Sequence, residues 1–145
     1  MPSVFKSYFR FPKNSKRRFG EGGKRLSKKR KIKKPTFSII TVVLNNQKFL
    51  ETTIKSVLNQ SFKNYEYIII DGGSNDRTID IIKKYENKID YWVSERDKGL
   101  YDAFNKGMML ASGKFIGIIN SDDVYTKNSL KIISNYISKY KNIDF

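Results

Sequence analysis

From Pro35 onward the chain alternates between two hydrophobic periodicities, and this alternation limits its possible folds more than any other property. Residues 37–44 (FSIITVVL) are a nearly continuous β-branched run, the pattern of a strand buried on both faces. Residues 47–59 follow with Leu50, Ile54, Val57 and Leu58 at helical spacing. The same pair of patterns then recurs. A strand is predicted over 65–70 (YEYIII), ending at Asp71, and a helix over 76–85 with Ile79, Ile81 and Ile82 inward. Asp76 is placed to cap that helix, with Thr78 in its first turn. A short strand at 91–93, a helix over 100–112 stopping at Gly113 and a strand at 115–119 come next. A last helix over 128–140 sets Leu130, Ile133, Ile137 and Tyr140 on one face. Strands alternating with helices of roughly 10–15 residues imply βαβ units, hence an α/β fold with a parallel sheet.

In such a sheet, ligands bind beyond the carboxyl ends of the strands. Here those ends read Asn45-Asn46, Asp71-Gly72-Gly73-Ser74 and Asn120-Ser121-Asp122-Asp123, so three polar clusters converge on one edge. The first strand runs into Asn45-Asn46-Gln47-Lys48 with no glycine-rich turn, which argues against a dinucleotide or Walker-type phosphate loop. The adjacent carboxylates of Asp122 and Asp123 repel each other. One divalent cation would relieve that conflict and neutralise a substrate diphosphate; capping of the next helix is the structural alternative. Asp71 stands beside two glycines that leave room for a flat ring, and a carboxylate accepts from the N–H groups of uracil or guanine. Ordinary loop chemistry at a helix start accounts for the same residues. Asp102, Asn105 and Lys106 lie at i, i+3 and i+4 on one helix face. That face either presents an acceptor, an amide and a cation to a sugar or diphosphate, or is a solvated face with an Asp–Lys pair.

The chain contains no histidine and no cysteine. This removes the usual general base, the Ser-His and Cys-His pairs, imidazole- or thiolate-bound zinc, and any disulfide framework. A metal must take oxygen ligands, which suits Mg²⁺ or Mn²⁺. No apolar run approaches the roughly 18–20 residues needed to cross a bilayer, and no signal-peptide core is present, so a cytoplasmic location is expected.

The formal charge of +15 is unevenly distributed. Residues 1–34 hold 14 of the 29 Lys and Arg with Glu21 as their one acid, a net of +13, which leaves +2 for residues 35–145. Residues 1–34 read as a basic flexible arm, broken at Gly20-Glu21-Gly22-Gly23, and 35–145 as the folded domain. A basic fold that binds nucleic acid is therefore not expected. Near the N-terminus, Val4, Phe5, Tyr8, Phe9 and Phe11 alternate with Lys6 and Arg10. That mixture suits the anionic inner face of a membrane, with a disordered leader as the alternative.

Taken in order, FSIITVVLNN, SVLNQSF, YIIIDGGSNDRT and SERDKGLYDAFNKGMMLASGKFIGIINSDD resemble the family 2 glycosyltransferases in spacing throughout residues 36–123. The last two strings are similar to the members that build bacterial polysaccharides such as colanic acid and O-antigen. The resemblance implies a GT-A (Rossmann-like) nucleotide-sugar-binding domain. It implies that Asp71 reads the donor base with Asn45 close by, and that Asp122 contacts the ribose or sugar. Asp123 would hold Mg²⁺ or Mn²⁺ on the diphosphate, while Asp97, Asp102, Asn105 and Lys106 line the donor-sugar side. The implied partners are a UDP- or GDP-sugar and a glycan or lipid-linked acceptor, with inversion at the anomeric carbon. The chain departs from the family pattern at Asn120, Leu44, Arg96 and Phe104, which stand where many members have Asp, an aromatic, Pro and Arg.

Family members continue into an acceptor-binding region that supplies the catalytic Asp or Glu, so this chain is expected to be a donor-binding fragment lacking its base. Two other readings remain open on the residues. One is an inactive nucleotide-sugar-binding remnant. The other is a protein that acts through its basic arm on RNA or anionic lipid.

Overall fold

The structure, a computed structural model, describes residues 18–27 and 34–140. Strand β2 (Phe37–Val43) is buried along its whole length, as its unbroken β-branched sequence requires. It pairs in parallel with β3 (Tyr65–Asp71) on one side and β5 (Phe115–Ile118) on the other, and β3 pairs in parallel with β4 (Tyr91–Glu95). Strand β1 (Arg18–Gly22) joins β4 antiparallel, giving the order β1-β4-β3-β2-β5. Alternate residues of the parallel strands feed two cores. Ile39, Val43, Tyr67 and Ile69 pack against α1 (Leu50–Leu58), α2 (Thr78–Lys84) and α4 (Ser129–Lys139). Ile40, Val42, Ile68 and Ile70 pack against α3 (Leu100–Leu110). The result is the α/β architecture with helices on both faces that the alternation predicts.

The helices begin or end inside their predicted limits, for local reasons. Gln47 lies outside α1 because its backbone and side chain bond to the loop before α2. Asp76 lies outside α2, one residue before its N-cap Arg77, and its Oδ1 accepts from Thr78 N at 2.9 Å at the helix start. Helix α3 stops at Leu110, since Ser112 turns its amide to Glu66 Oε1 at 2.7 Å. In α4, Leu130 is buried, but Ile133 and Tyr140, expected inward, are exposed.

The flexible-arm reading fails for residues 18–27. Gly20 and Gly22, read as a break, belong to β1 and lie against the Trp92 indole; a Cβ on Gly20 would sit 3.1 Å from that ring. Missing side chains are what admit the indole. Ion pairs and a hydrogen bond finish the attachment. Arg18 bridges Glu21 at 3.2 Å and Glu95 at 3.4 Å, Glu21 accepts from the Tyr91 hydroxyl at 2.6 Å, and Arg25 meets Glu66 at 2.8 Å. The aromatic stretch at residues 4–11 lies outside the described residues. Among the described residues no helix is long and apolar enough to cross a membrane.

Candidate functional site

The register places Val43 opposite Asp71 and Asp71 opposite Ser94, so the ends of β2, β3 and β4 are level. Their loops are tied together by hydrogen bonds. Asn45 takes a left-handed backbone (φ 50°), which asparagine tolerates, and so reaches sideways. Its N–H donates to Ser74 Oγ at 2.7 Å and its Oδ1 accepts from Asn75 N at 2.8 Å. Asn46 donates its N–H to Thr78 Oγ1 at 3.0 Å and its Nδ2–H to Ser121 Oγ at 2.9 Å. The three polar clusters predicted to share an edge are thus joined into one rim. Asn45 works in it as a strut.

Asp71 is fully buried. Its carboxylate accepts from Gly73 N and Ser74 N at 3.0 Å each, from Ser94 Oγ at 2.6 Å and from the Ser74 hydroxyl. That full set of donors fixes the Gly72-Gly73 loop, and the carboxylate itself is not presented to the rim. Asp97 is. Its Oδ2 lies 2.6 Å from where a Cβ on Gly72 would stand, with Leu44 Cδ1 at 3.6 Å from the same point. The missing side chain at position 72 is what leaves space for the Asp97 carboxylate.

Lys106, from the buried side of α3, holds Asp97 at 2.5 Å, Glu95 at 3.1 Å and Asp102 at 3.3 Å. One ammonium is shared by three carboxylates. Burial pulls the Lys106 ammonium toward its neutral form, but Asp97 and Glu95 outweigh this and raise its pKa, so it stays charged. Burial pushes the Asp97 carboxyl up, and its share of the ammonium does not bring it back to the ordinary value. Asp102 moves the other way, held below the usual carboxylate range first by the Lys98 N–H and then by Lys106. Asn105, predicted to share this face, is exposed and has no partner among the described residues.

After β5 the chain turns through Asn120–Asp123. Asp123 N donates to the Asn120 carbonyl at 3.1 Å, and Asn120 Nδ2 donates to Asp123 Oδ2 at 3.2 Å. Thr53 of α1 anchors the turn by donating to the Asp123 carbonyl at 2.8 Å. Both aspartates are exposed, and Asp122 makes no hydrogen bond or ion pair among the described residues. No group of three or more acidic side chains among the described residues could enclose a cation. The set fits an ion shared with a substrate, in which one or two carboxylates and several phosphate oxygens and waters complete a hard cation's shell.

Sequence reasoning missed Glu95 and Ser94, which support Lys106 and Asp71, and everything contributed by β1. Glu95 sits within the unusual SERDKG stretch, a usable signal. An open cleft of about 580 Å³ between α1 and α2, lined by Gln47, Glu51, Arg77 and Lys84 among others, lies beside this rim and contains none of its carboxylates.

Residues 38–144 match the family model Glycosyl transferase family 2. A putative teichuronic acid biosynthesis glycosyltransferase, TuaG of Bacillus subtilis, is 38% identical over 102 residues, which are 68% of this chain and 40% of that protein. The crystal structure of S. aureus TarS 1–349 in complex with UDP-GlcNAc is similar with a TM-score of 0.67 and 27% identity, over 73% of this chain and 32% of that one. A mannosyltransferase from Pyrobaculum calidifontis, PcManGT, in complex with GDP-Man and Mn²⁺, has a TM-score of 0.67 at 18% identity, over 72% of this chain and 33% of that one, a likeness of fold alone. This chain spans 40% of TuaG and about a third of the TarS fragment. The mostly parallel sheet matches these GT-A structures, the strand-end carboxylates lie inside the matched segment, and the chain belongs to glycosyl transferase family 2.

Proposed function

We propose that this chain is the donor-binding portion of an inverting glycosyltransferase that moves a sugar from a nucleoside-diphosphate donor to a glycan or lipid-linked acceptor. The observation that carries the reading is the rim itself. Two exposed carboxylates, Asp122 and Asp123, stand on a loop hydrogen-bonded to the loop after β2, which is itself bonded to the loop after β3, where a glycine pair is flanked by the Asp97 carboxylate. TarS, the similar protein, was solved with UDP-GlcNAc, which supports a UDP-type donor.

In this reading Asp71 acts on the base through the loop it fixes, and Asn45 holds that loop against the first. Asp97 faces the donor as an acceptor, kept in place by Lys106, with Asp102 and Asn105 further along the sugar side. Asp122 accepts from a ribose or sugar hydroxyl. Asp123 and the donor diphosphate would hold Mg²⁺ or Mn²⁺. The ion, when bound, offsets the charge that develops on the departing diphosphate. Acceptor binding and the carboxylate that deprotonates the attacking hydroxyl are assigned to the further length that the relatives have.

Calorimetric titration of the purified chain with UDP and GDP, with and without Mn²⁺, tests the reading. Binding of one nucleotide that strengthens with Mn²⁺ is expected. A chain that binds neither nucleotide in either condition overturns it.

A further inference from the structure

The geometry points to Phe19, on the N-terminal strand, as the aromatic wall of the nucleobase subsite, an assignment that rests on the donor-site reading above. Between Arg18, paired with Glu95, and Gly20, paired with Ser94, the register of β1 on β4 slips, so Phe19 is the extra residue of a β-bulge. Bulges re-aim side chains, and they recur beside functional sites. Here the bulge falls where β1 passes the carboxyl end of β4, the same end that carries the rim. The phenyl ring is turned toward the Gly72-Gly73 loop. A Cβ on Gly73 would meet Phe19 Cε2 at 3.0 Å and Arg96 Cγ at 3.3 Å.

The ring takes no part in either core. It remains 62% exposed, although buried apolar positions of both cores lie a strand away. On the other flank of the same loop, Leu44 is 60% exposed and approaches Gly72. Two uncovered apolar side chains thus border a pair of glycines, with the Asp97 carboxylate over one of them. The missing side chains at Gly72 and Gly73 let Asp97 and Phe19 close on the loop, and a flat heteroaromatic ring bearing an N–H donor suits what they then present: the exposed phenyl stacks on its face and the carboxylate accepts from its edge. A sugar or diphosphate alone would leave the apolar borders without a role.

Phe19 lies outside residues 38–144, the segment that matches the family model. The proposed base contact therefore comes from a strand that precedes the segment matched by the family model. Arg18, its neighbour, fixes the strand by bonding Glu95, the carboxylate that also holds Lys106.

The test uses the full chain with Mn²⁺ and two probes, inorganic pyrophosphate and whichever of UDP or GDP the wild type binds more tightly. Phe19→Ala should weaken the nucleotide roughly tenfold, the size of one lost base–aromatic stack, and leave pyrophosphate unchanged. Phe19→Trp should retain nucleotide affinity, with its added indole emission quenched on binding. Nucleotide affinity unchanged in Phe19→Ala overturns the assignment while leaving the donor site intact. Equal losses for nucleotide and pyrophosphate also overturn it, since a base contact cannot act on pyrophosphate. A wild-type chain that binds no nucleotide removes the donor-site reading and this assignment together.

Discussion

Arg25 and Glu66 meet at 2.8 Å with both side chains only 1% exposed, joining the segment after β1 to the middle strand of the sheet. The carboxylate also accepts from Ser38 Oγ, Ser112 N and Ser112 Oγ, and the guanidinium lies over the Tyr91 ring. Two guanidinium nitrogens, Nε and Nη1, are buried without a hydrogen-bond partner. The pair is therefore a lock whose halves cannot be separated cheaply. Arg25→Ala leaves Glu66 charged and uncompensated in the interior. It should lower unfolding free energy by about 3–5 kcal/mol, read as a shift in denaturant midpoint. A loss below about 1 kcal/mol would show that Arg25 is not needed for the fold.

The same carboxyl sets an acid limit. Burial raises its pKa, but Arg25, Ser38 and Ser112 together hold it below its ordinary value of 4.5. A depressed pKa contributes stability that is fully present above 4.5 and disappears as pH falls through the folded value. Wild-type stability should therefore drop on going from neutral pH to about pH 3, and Glu66→Gln should show a shallower fall. Parallel curves for the two proteins would rule Glu66 out as the titrating group.

Lys106→Met removes the ammonium shared by Glu95, Asp97 and Asp102. Mutual repulsion between buried Glu95 and half-buried Asp97 should destabilise the chain by about 3 kcal/mol at neutral pH, with partial recovery on mild acidification as one carboxyl protonates. Thermal melts at two pH values check this; the same deficit at both would mean that lost packing, not charge, is responsible.

Asp71→Ala strands the amides of Gly73 and Ser74 and the hydroxyls of Ser74 and Ser94. Stability should fall by about 1–3 kcal/mol, and nucleotide affinity should fall with it whether or not Mn²⁺ is present. If affinity drops while the melting temperature holds, Asp71 touches the base directly and the loop-holding role is wrong.

Asp123→Asn should do the opposite. The side chain is exposed and, among the described residues, its one partner is the Asn120 amide, so the fold should be unchanged within about 0.5 kcal/mol. Strengthening of nucleotide binding by Mn²⁺ should vanish. Mn²⁺-dependent binding that survives the change would place the cation elsewhere.

The parts that sequence reasoning could read are those set by local pattern. The β2 run FSIITVVL announces itself because both its faces are covered, and helices α1 to α4 repeat apolar residues at one-turn spacing. The convergence of Asn45, Asp71 and Asp122 on one edge follows from strand order alone. What escaped depends on partners far along the chain. Strand β1 has glycines where a strand pattern expects side chains, since the bulk filling that space is Trp92, contributed by β4. Asp71 looks like an open acceptor until Ser94, 23 residues later, is seen to close it. Asp97 and Asn105 both lie near Lys106 in sequence, yet only Asp97 reaches it.

The packing of β1 on Trp92 has a practical consequence. Trp92 is the sole tryptophan of the chain and is 2% exposed, with Gly20 and Gly22 lying directly on its indole. Peeling β1 from β4 would wet that ring without unfolding the parallel strands. The intrinsic fluorescence of the native protein is thus an optical gauge of whether the N-terminal segment is docked, blue when seated and red-shifted when released, and it needs no label.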